Sequence, residues 1–318
     1  MKVVAIIPVS QFEPIEIILE SVKHLKSLDW NDFDYKLIYV VDKKSNNDPR
    51  AEVLRKEGVV VLERNTTRGR RGGAINDALN LLDESVEYIA IFDVDSKPER
   101  DFVIKCIEAL EKEDKAYIAS SKRYISNPIN LVSETIEVEY YLINFLLKKS
   151  AFKQFNGLIG VLKTKLLRKY RLNENAVTED ADFATRMHSM GYKAILVENT
   201  KIFEQAPIKW RDLYNQRKRW YYGGLQLWKY WKAVKKSNFR FAISWFLALT
   251  LTYAIIITAP FLLLAPPLLL YKFRKVKKLI VVFGLLIHVL ILQFAAIMAL
   301  ISFIKKRGVE WGKIERVV

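Results

Sequence analysis

Two groups of carboxylates in this sequence have the spacing expected of side chains that bind a metal ion and move a proton. Asp93 and Asp95 flank one valine, directly after the apolar run Tyr88–Phe92. Mg²⁺ and Mn²⁺ prefer oxygen ligands, and such an ion commonly joins one or two carboxylates to the phosphates of a ligand. The second group, Thr178–Asp182, has three acids where a helix is predicted to begin. Its carboxylates either stabilise the helix dipole or include a general base toward a hydroxyl group.

A basic, glycine-rich stretch has the composition of an anion site. Arg68–Ala74 contains three arginines and three glycines. Glycine lets the backbone come close to a ligand and arginine binds phosphate oxygens, so the stretch suits a diphosphate. An ordinary basic turn is the alternative. The stretch matches neither the P-loop pattern nor G-x-G-x-x-G, which disfavours an ATPase or a Rossmann-type dehydrogenase.

Short apolar runs alternate with helical patterns over the first 200 residues and predict the elements that position these side chains. Predicted strands include Val3–Val9, Lys36–Val41 and Tyr88–Phe92. Such alternation is typical of an α/β fold with a mostly parallel sheet and covering helices. Asp42 and Asp93 directly follow two of these strands. Because ligands of such sheets bind beyond the carboxyl ends of the strands, the pattern predicts one site that contains both acids.

The long stretch Leu131–Phe155 has a helical pattern of apolar residues that includes Ile136 and Tyr140. A core-facing helix is the default interpretation, and a helix face that lines a binding groove is the alternative. The single cysteine, Cys106, excludes an intramolecular disulfide and fits a reducing compartment. It lies in an apolar helical pattern, so we interpret it as a core thiol.

The three histidines are scattered along the chain, at His24, His188 and His288. They do not show the spacing of metal ligands, and we interpret each of them as structural.

The net charge of +16 is concentrated beside two long uncharged segments. Residues 241–271 and 279–304 contain no Asp, Glu, Lys or Arg, and each segment exceeds the ~20 residues that cross the hydrocarbon core as a helix. Lys and Arg are dense in 205–240, in 272–278 and in the tail at Lys305–Arg307. Anionic lipid head groups attract cations at such positions. The distribution of charge therefore indicates a membrane partner and no nucleic acid.

We predict two membrane crossings, at about 241–262 and 279–304. The segment before them, 209–236, mixes lysines with Trp and Tyr side chains and should lie along the membrane surface. Two crossings place the basic stretch 272–278 on the far side, against the tendency of basic loops to stay inside. A hairpin within 241–271 would give three crossings and would send the basic tail across instead.

The N-terminus indicates on which side of the membrane the first part of the chain lies. The first eight residues have too short an apolar run for a signal peptide, and no cleavage site of small residues follows. We therefore expect an integral protein of the cell membrane whose catalytic domain is cytoplasmic. The predicted parts are a catalytic domain at 1–206, an amphipathic interfacial segment at 207–240 and a membrane region with a short basic tail at 241–318.

Several motifs, in this order, resemble the membrane-bound family 2 glycosyltransferases related to cellulose, chitin and hyaluronan synthases. The resemblance extends from about Val3 to Arg316. The motifs are Ile6-Ile7-Pro8-Val9, Asp42 after a strand, Arg71-Gly-Gly-Ala-Ile-Asn76, Asp93-Val94-Asp95, Phe155-Asn156-Gly157, Thr178-Glu179-Asp180, Glu204-Gln-Ala-Pro207 and the Q-x-x-R-W pattern Gln216-Arg-Lys-Arg-Trp220.

The resemblance implies a GT-A fold and a nucleotide-diphosphate sugar donor, most often a uridine one. It implies that Asp42 contacts the nucleobase and Asp93 the nucleotide. Asp95, with Asp93, would hold Mg²⁺ or Mn²⁺ on the diphosphate. In the catalytic pair of Glu179 and Asp180, the general base would be Asp180.

The remaining motifs would bind the donor and the acceptor. Pro8 and Arg71 would contribute to the donor site. Gln216, Arg219 and Trp220 would form a platform for the nucleotide and the acceptor, because an arginine neutralises a departing diphosphate and an indole offers a flat apolar face to a sugar ring. Asn156 and Gly157 are implied to contact the acceptor.

Two departures from the family pattern concern the donor. Val41–Ser45 has one acid followed by two lysines where many relatives have an acidic pair. Arg71 stands where relatives have lysine in a K-A-G-A-L-N pattern. Both departures bear on the identity of the donor more than on the type of reaction.

The expected activity is one inverting displacement that transfers a sugar to a lipid or lipid-linked acceptor at the cytoplasmic membrane face. Two or three helices could hardly enclose a polysaccharide channel. A processive polysaccharide synthase, in which an oligomer would enclose the polymer, is therefore the alternative enzyme. A non-catalytic membrane-bound binding module is the alternative from another class.

Overall fold

The computed structural model describes residues 1–309. Arg316, the far end of the sequence resemblance, and the last nine residues of the predicted region 241–318 lie outside the described part.

One mixed sheet of eight strands forms the centre of the fold, in the order β3-β2-β1-β4-β7-β6-β8-β5. The strands β3, β2, β1 and β4 are parallel, β7 is antiparallel to both of its neighbours, and β6 and β8 are parallel again. The strands are β1 (Lys2–Val9), β2 (Asp34–Asp42), β3 (Val60–Arg64), β4 (Val86–Ile91), β5 (Lys97–Pro98), β6 (Ala116–Ile125), β7 (Gly160–Lys163) and β8 (Lys193–Glu204).

The α/β prediction is confirmed, and the sheet is less uniformly parallel than expected. Central strands such as β1 are buried on both faces, because helices cover both sides of the sheet. The sequence analysis missed β5 and β7, which have two and four residues and therefore too little apolar periodicity to recognise. β7 is the strand that breaks the parallel run, and it follows directly on the predicted acceptor motif at Asn156–Gly157.

Twelve α-helices and four 3₁₀ segments complete the described chain. The helices are α1 (Ile15–Lys26), α2 (Arg50–Lys56), α3 (Arg70–Leu79), α4 (Phe102–Glu111), α5 (Leu131–Lys149), α6 (Thr164–Tyr170), α7 (Glu179–Ser189), α8 (Trp210–Gln226), α9 (Trp231–Val234), α10 (Phe239–Leu251), α11 (Ala265–Phe273) and α12 (Val281–Ile304). The 3₁₀ segments are Asn156–Leu158, Leu227–Tyr230, Ile255–Leu264 and Val276–Ile280.

The cysteine and two of the histidines have structural surroundings. Cys106 on α4 is fully buried in the core. His24 Nε2 lies 2.8 Å from the Pro98 carbonyl oxygen, and His188 Nε2 lies 3.2 Å from the Lys153 carbonyl oxygen. Burial lowers the pKa of His188 to about 4, so this side chain is neutral at pH 7.

The first predicted crossing, 241–262, is not one helix in this structure. α10 ends at Leu251, and its 13 residues rise only ~20 Å, short of the ~30 Å hydrocarbon core. Trp245 on α10 is fully buried and belongs to the same apolar cluster as Ala181 and Ala184 of α7. The two segments that are long and apolar enough to cross are Ile255–Phe273 and Val276–Ile304, and the second agrees with the predicted crossing at 279–304.

Candidate active site

A cavity of about 620 Å³ lies at the carboxyl ends of β1, β2 and β4, with α7 and α8 on its other walls. Its position agrees with the rule for ligand sites in open sheets. The twelve side chains predicted from the sequence all line it, although their roles stay predictions: Pro8, Asp42, Arg71, Asp93, Asp95, Asn156, Gly157, Glu179, Asp180, Gln216, Arg219 and Trp220.

Arg50 on α2 joins the two loops that follow β1 and β2. Its guanidinium donates to the Asp42 carbonyl oxygen at 2.8 Å and to the Ser10 carbonyl oxygen at 2.7 Å. An ion pair of 2.6 Å with Asp48 compensates the buried charge, and this guanidinium holds the pKa of Asp48 well below its usual range. The sequence analysis missed Arg50, because its partners lie up to 40 residues away and form no local pattern.

The Asp42 carboxylate is buried at this end of the cavity, with its Oδ1 3.2 Å from an Arg64 nitrogen. Burial raises the pKa of Asp42 to about 6, although the cations of Arg64 and Arg50 oppose the shift. Asp42 is therefore charged at pH 7 and protonated in mild acid.

A buried guanidinium connects the two acidic motifs. Arg71 Nε lies 2.8 Å from Asp93 Oδ1, and another Arg71 nitrogen lies 3.4 Å from Glu179 Oε1. Burial alone would lower the pKa of Arg71, but Asp93 and Glu179 together raise it. Gly157 permits this arrangement: it has a φ of +63°, and a Cβ there would come within 3.2 Å of Arg71 Cζ and 3.3 Å of Asp93 Oδ2.

Backbone groups fix the orientation of the Asp180 carboxylate. Its Oδ2 accepts a hydrogen bond from the Gly157 N–H at 2.5 Å, and its Oδ1 accepts one from the Ala181 N–H at 2.8 Å. Both bonds hold the carboxylate in one orientation toward the cavity. Burial and the neighbouring Asp180 charge raise the pKa of Glu179, with Arg71 opposing them. Two adjacent carboxyl groups thus have different surroundings.

Asp95 and Glu204 also line the cavity. Asp95 Oδ2 accepts a hydrogen bond of 3.1 Å from the Gln205 N–H. Glu204 pairs with Arg123 at 3.0 Å and accepts a hydrogen bond from the Tyr140 hydroxyl. Burial raises the pKa of Glu204 despite Arg123. Arg123 was not predicted, whereas Tyr140 lies on the helix for which a groove-lining face was the alternative.

Two carboxylates of this cavity suit a divalent cation. Among residues 1–309 no group of three His, Cys, Asp or Glu side chains has the geometry to hold a metal ion. Asp93 and Asp95 could supply two oxygen ligands, and the Asp93 side chain is 38% exposed to the cavity. This donor set fits an ion that takes its remaining ligands from a diphosphate and water.

The Q-x-x-R-W motif lies on α8 and presents Gln216, Arg219 and Trp220 to the cavity. Burial lowers the pKa of Arg219, while Glu179 and Asp180 oppose that shift. α8 comes very close to the residue before α7: Gly223 packs directly against the Thr178 side chain, and a Cβ at Gly223 would clash with it.

Arg217, in the middle of the same motif, is part of a buried ion-pair network. One of its nitrogens lies 2.5 Å from Glu139 Oε2 on α5, and its Cζ lies 4.1 Å from the centre of the Trp220 ring. His288 Nε2 on α12 is 3.3 Å from the same Glu139 oxygen. Burial would raise the pKa of Glu139, but Arg217 and His288 outweigh it and hold the value at about 2. Through Arg217, the network packs against the Trp220 ring and stabilises its position.

Replacing Glu139 by glutamine is expected to lower the free energy of unfolding by about 3–5 kcal/mol, because it leaves the Arg217 charge buried and unpaired. Denaturant unfolding in detergent measures the loss. Glu108→Gln, on the exposed side of α4, is the matched control and should stay within about 0.5 kcal/mol of wild type. Equal stability of the two variants would contradict the role of the network.

The sheet order, the carboxylates at strand ends and the cavity closed by α7 and α8 define a GT-A glycosyltransferase fold. The structure of a mannosyltransferase from Pyrobaculum calidifontis, solved with GDP-Man and Mn²⁺, has this fold. It superimposes with a TM-score of 0.67 at 18% identity over 96% of this chain and 88% of that chain. The chain belongs to the family described as Glycosyl transferase family group 2, whose profile matches residues 88–303.

Two rice proteins are similar to this chain in sequence. A probable glucomannan 4-β-mannosyltransferase 3 from Oryza sativa subsp. japonica is 26% identical over 175 residues, 52% of this chain and 32% of the relative. A second rice protein of this kind is 24% identical over 174 residues, 52% of this chain and 30% of the relative. The chain thus spans about a third of the length of these curated relatives.

TarS from S. aureus, solved with UDP as residues 1–349, shares the fold at a TM-score of 0.51 and 14% identity over 77% of this chain and 68% of that chain. The narrower resemblance to cellulose, chitin and hyaluronan synthases stays a prediction.

Proposed function

We propose that this glycosyltransferase moves a mannosyl residue, with inversion, from GDP-mannose to a lipid or lipid-linked hydroxyl at the cytoplasmic face of a membrane. The observation that supports it best is the Asp180 carboxylate, oriented by the Gly157 N–H in the cavity that also contains Asp93, Asp95 and Arg219. This is the set of groups that proton removal and diphosphate departure require.

The choice of donor rests on the relatives and on Asp42. Two rice relatives are named as mannosyltransferases, and the Pyrobaculum calidifontis structure contains GDP-Man. A buried carboxylate has two acceptor oxygens, which match the two neighbouring N–H groups on the edge of guanine, whereas uracil offers one. Asp42 therefore favours a guanine nucleotide over the uridine donor that the sequence resemblance implied. UDP-sugars are the second set to test, since TarS was solved with UDP.

A divalent cation, Mg²⁺ or Mn²⁺, would bind to Asp95 and Asp93 and neutralise charge on the diphosphate. The Mn²⁺ in the Pyrobaculum calidifontis mannosyltransferase supports this assignment.

The proposed reaction breaks one bond and forms one at the anomeric carbon. Asp180 accepts the proton of the acceptor hydroxyl while that oxygen attacks the anomeric carbon from the side opposite the diphosphate. The bond between carbon and diphosphate breaks, and the nucleoside diphosphate leaves with the electron pair. Arg219 and Arg71 neutralise its charge. Trp220 offers the acceptor an apolar surface.

The test is a donor screen with the full chain in detergent and a lipid extract. GDP-[¹⁴C]mannose should give an organic-extractable product with one or a few sugars, and UDP-sugars should give little. A long polymer would favour a processive polysaccharide synthase, which the glucomannan names of the rice relatives support as the second candidate. No turnover of any nucleotide sugar would contradict an enzyme and favour the binding module.

GDP-mannose affinity is expected to fall about tenfold between pH 7 and pH 5, because protonation of Asp42, with its pKa of about 6, removes a nucleobase acceptor. The sign follows from binding to the ionised form: affinity is nearly full at pH 7 and falls as the pH decreases through 6. Calorimetric titration with GDP-mannose suits this measurement, since its diphosphate does not titrate in that range. Asp42→Asn should bind more weakly and without this pH dependence; an unchanged wild-type affinity at pH 5 would contradict the assignment.

A further inference from the structure

We infer that the two long apolar segments, Ile255–Phe273 and Val276–Ile304, lie in one leaflet of the membrane and do not cross it. The first observation concerns the ends of the second segment. Near its start, Lys278 Nζ lies 2.9 Å from Glu137 on α5. Near its end, the Phe303 ring lies 5.5 Å from the Tyr222 ring on α8. α12 alone is ~36 Å long, so its two ends contact α5 and α8 at points farther apart than the thickness of the hydrocarbon core.

Contacts between these ends keep α12 on the domain along its length. Gly284 packs so closely against Thr135 on α5 that a Cβ would clash with the threonine hydroxyl. The contact of His288 with Glu139 follows one helical turn later, and the Phe294 ring stacks on Tyr214 of α8 at 5.6 Å. The order of these contacts shows that α12 runs parallel to α5 and then to α8.

The first apolar segment also begins and ends on the protein. At its start, the Ile256 N–H donates to the Gln293 side chain on α12 at 3.1 Å, and the Tyr253 hydroxyl just before it donates to the Tyr221 carbonyl oxygen on α8 at 3.0 Å. At its end, the Phe273 ring meets Tyr141 on α5 at 5.5 Å. The segment therefore starts beside α8 and α12 and ends beside α5.

The charges of α5 and α8 oppose a crossing. If α12 stood across the bilayer, the helices beside it would enter the hydrocarbon with it. They carry Glu134 and Glu137 on α5 and Asp212, Lys218 and Arg219 on α8. Each such charge costs ~2.5–3.5 kcal/mol at the centre of a membrane helix. An orientation along the surface removes this cost and keeps the cavity in water.

The outward surface has the composition of a face that enters a leaflet. Its large apolar side chains have few protein contacts. Only 6% of an 18-residue apolar stretch within Ile255–Phe273 is buried, and the Leu263 side chain is 83% exposed. The exposed apolar residues include Phe239, Phe246, Ile257, Phe261, Leu263, Phe283, Leu290, Phe294, Ile297 and Ile304. Exposed cations lie along the chain at both ends of these helices: Lys235, Lys236, Lys272, Arg274, Lys275, Lys305, Lys306 and Arg307. An apolar face with such a cationic rim suits one anionic leaflet.

Two crossings would place the basic stretch 272–278 on the far side of the membrane, against the tendency of basic loops to stay inside. A position of both segments in one leaflet removes this conflict. Lys278 pairs with α5, and Lys272 lies over the Tyr141 ring, so the stretch lies beside the catalytic domain without a crossing. α5 and α8 both line the active cavity and both contact α12. A lipid-borne hydroxyl therefore reaches the cavity from the leaflet, by lateral diffusion.

Cysteine labelling in sealed vesicles tests the inference. Lys275→Cys, Lys306→Cys and, as a control on the catalytic domain, Lys112→Cys are made in a Cys106→Ala background. If that background folds poorly, the wild-type background serves, because Cys106 is fully buried. A membrane-impermeant maleimide should label all three sites from the same side. Opposite labelling of residue 275 would support two crossings, opposite labelling of residue 306 would support three, and either result overturns the inference.

A depth measurement supplies an independent test in vesicles that contain anionic lipid. A spin label at Leu290→Cys should lie within about 10 Å of the head groups, whereas a crossing helix places it near the bilayer centre. A central position, or protein that fails to float with the vesicles, would overturn the inference. The inference rests on the membrane location in the proposed function. Transfer is measured in detergent without regard to sides, so failure of one proposal can be distinguished from failure of the other.

Discussion

Asp180→Asn should lower the rate of mannosyl transfer by about 10²–10⁴-fold while GDP-mannose binding stays within about twofold of wild type. Asparagine cannot accept the proton of the acceptor hydroxyl. Its side-chain oxygen can still accept the hydrogen bond from the Gly157 N–H, so the local geometry should persist. Single-turnover transfer and calorimetric binding measure the two quantities.

Asp182→Asn is the matched variant from the same acidic cluster. Asp182 is fully buried and pairs with Arg186 at 2.9 Å, and the Tyr230 hydroxyl donates to it at 2.9 Å. The Asp182→Asn variant should therefore lose thermal stability but transfer mannose at the wild-type rate per folded molecule. Turnover like that of wild type in Asp180→Asn would exclude Asp180 as the base.

Arg219→Gln should lower kcat about 10²–10³-fold, the effect of removing one charge-stabilising donor from a transition state. Arg219 lines the cavity, and the carboxylates of Glu179, Asp180 and Asp93 favour its charged form against the effect of burial. Because the charge on the diphosphate grows as the sugar departs, the loss should appear in kcat more than in the KM for GDP-mannose.

The neighbouring Lys218→Gln removes one positive charge from the same helix turn and serves as the control. Lys218 does not line the cavity, so its kcat should match wild type. Equal losses in both variants would indicate a general effect of the charge of α8 and would refute a specific role of Arg219.

The sheet and most of the cavity could be predicted because they depend on local signals. Continuous apolar runs identified β1, β2 and β4, and the rule for strand ends then placed Asp42 and Asp93 at one edge. Arg123 was missed because its partner Glu204 is 81 residues away, and Arg50 because its acceptors at Ser10 and Asp42 are backbone carbonyl groups, which no sequence pattern identifies. β7 was missed because four residues carry too little periodicity.

The apolar C-terminal region was predicted least well, for a physical reason. Hydropathy measures the transfer of a side chain from water and does not say whether protein or lipid receives it. The inner face of α10 packs on protein and its outer face is exposed, yet both are apolar. Contacts such as Lys278 with Glu137 are long-range ion pairs, and an average over a sequence window cannot represent them.

The position of Trp245 has a practical consequence for anyone who wants a water-soluble fragment. Its indole N–H donates to the Thr185 hydroxyl on α7 at 3.1 Å, and it packs with Ala181 and Ala184 of the same helix. This is the helix that carries Asp180. A chain shortened before residue 239 would lose this support and would expose the back of α7. The apolar helix α10 is therefore part of the folding unit that holds α7 in place, and purification of the intact fold needs an amphiphile from extraction onward.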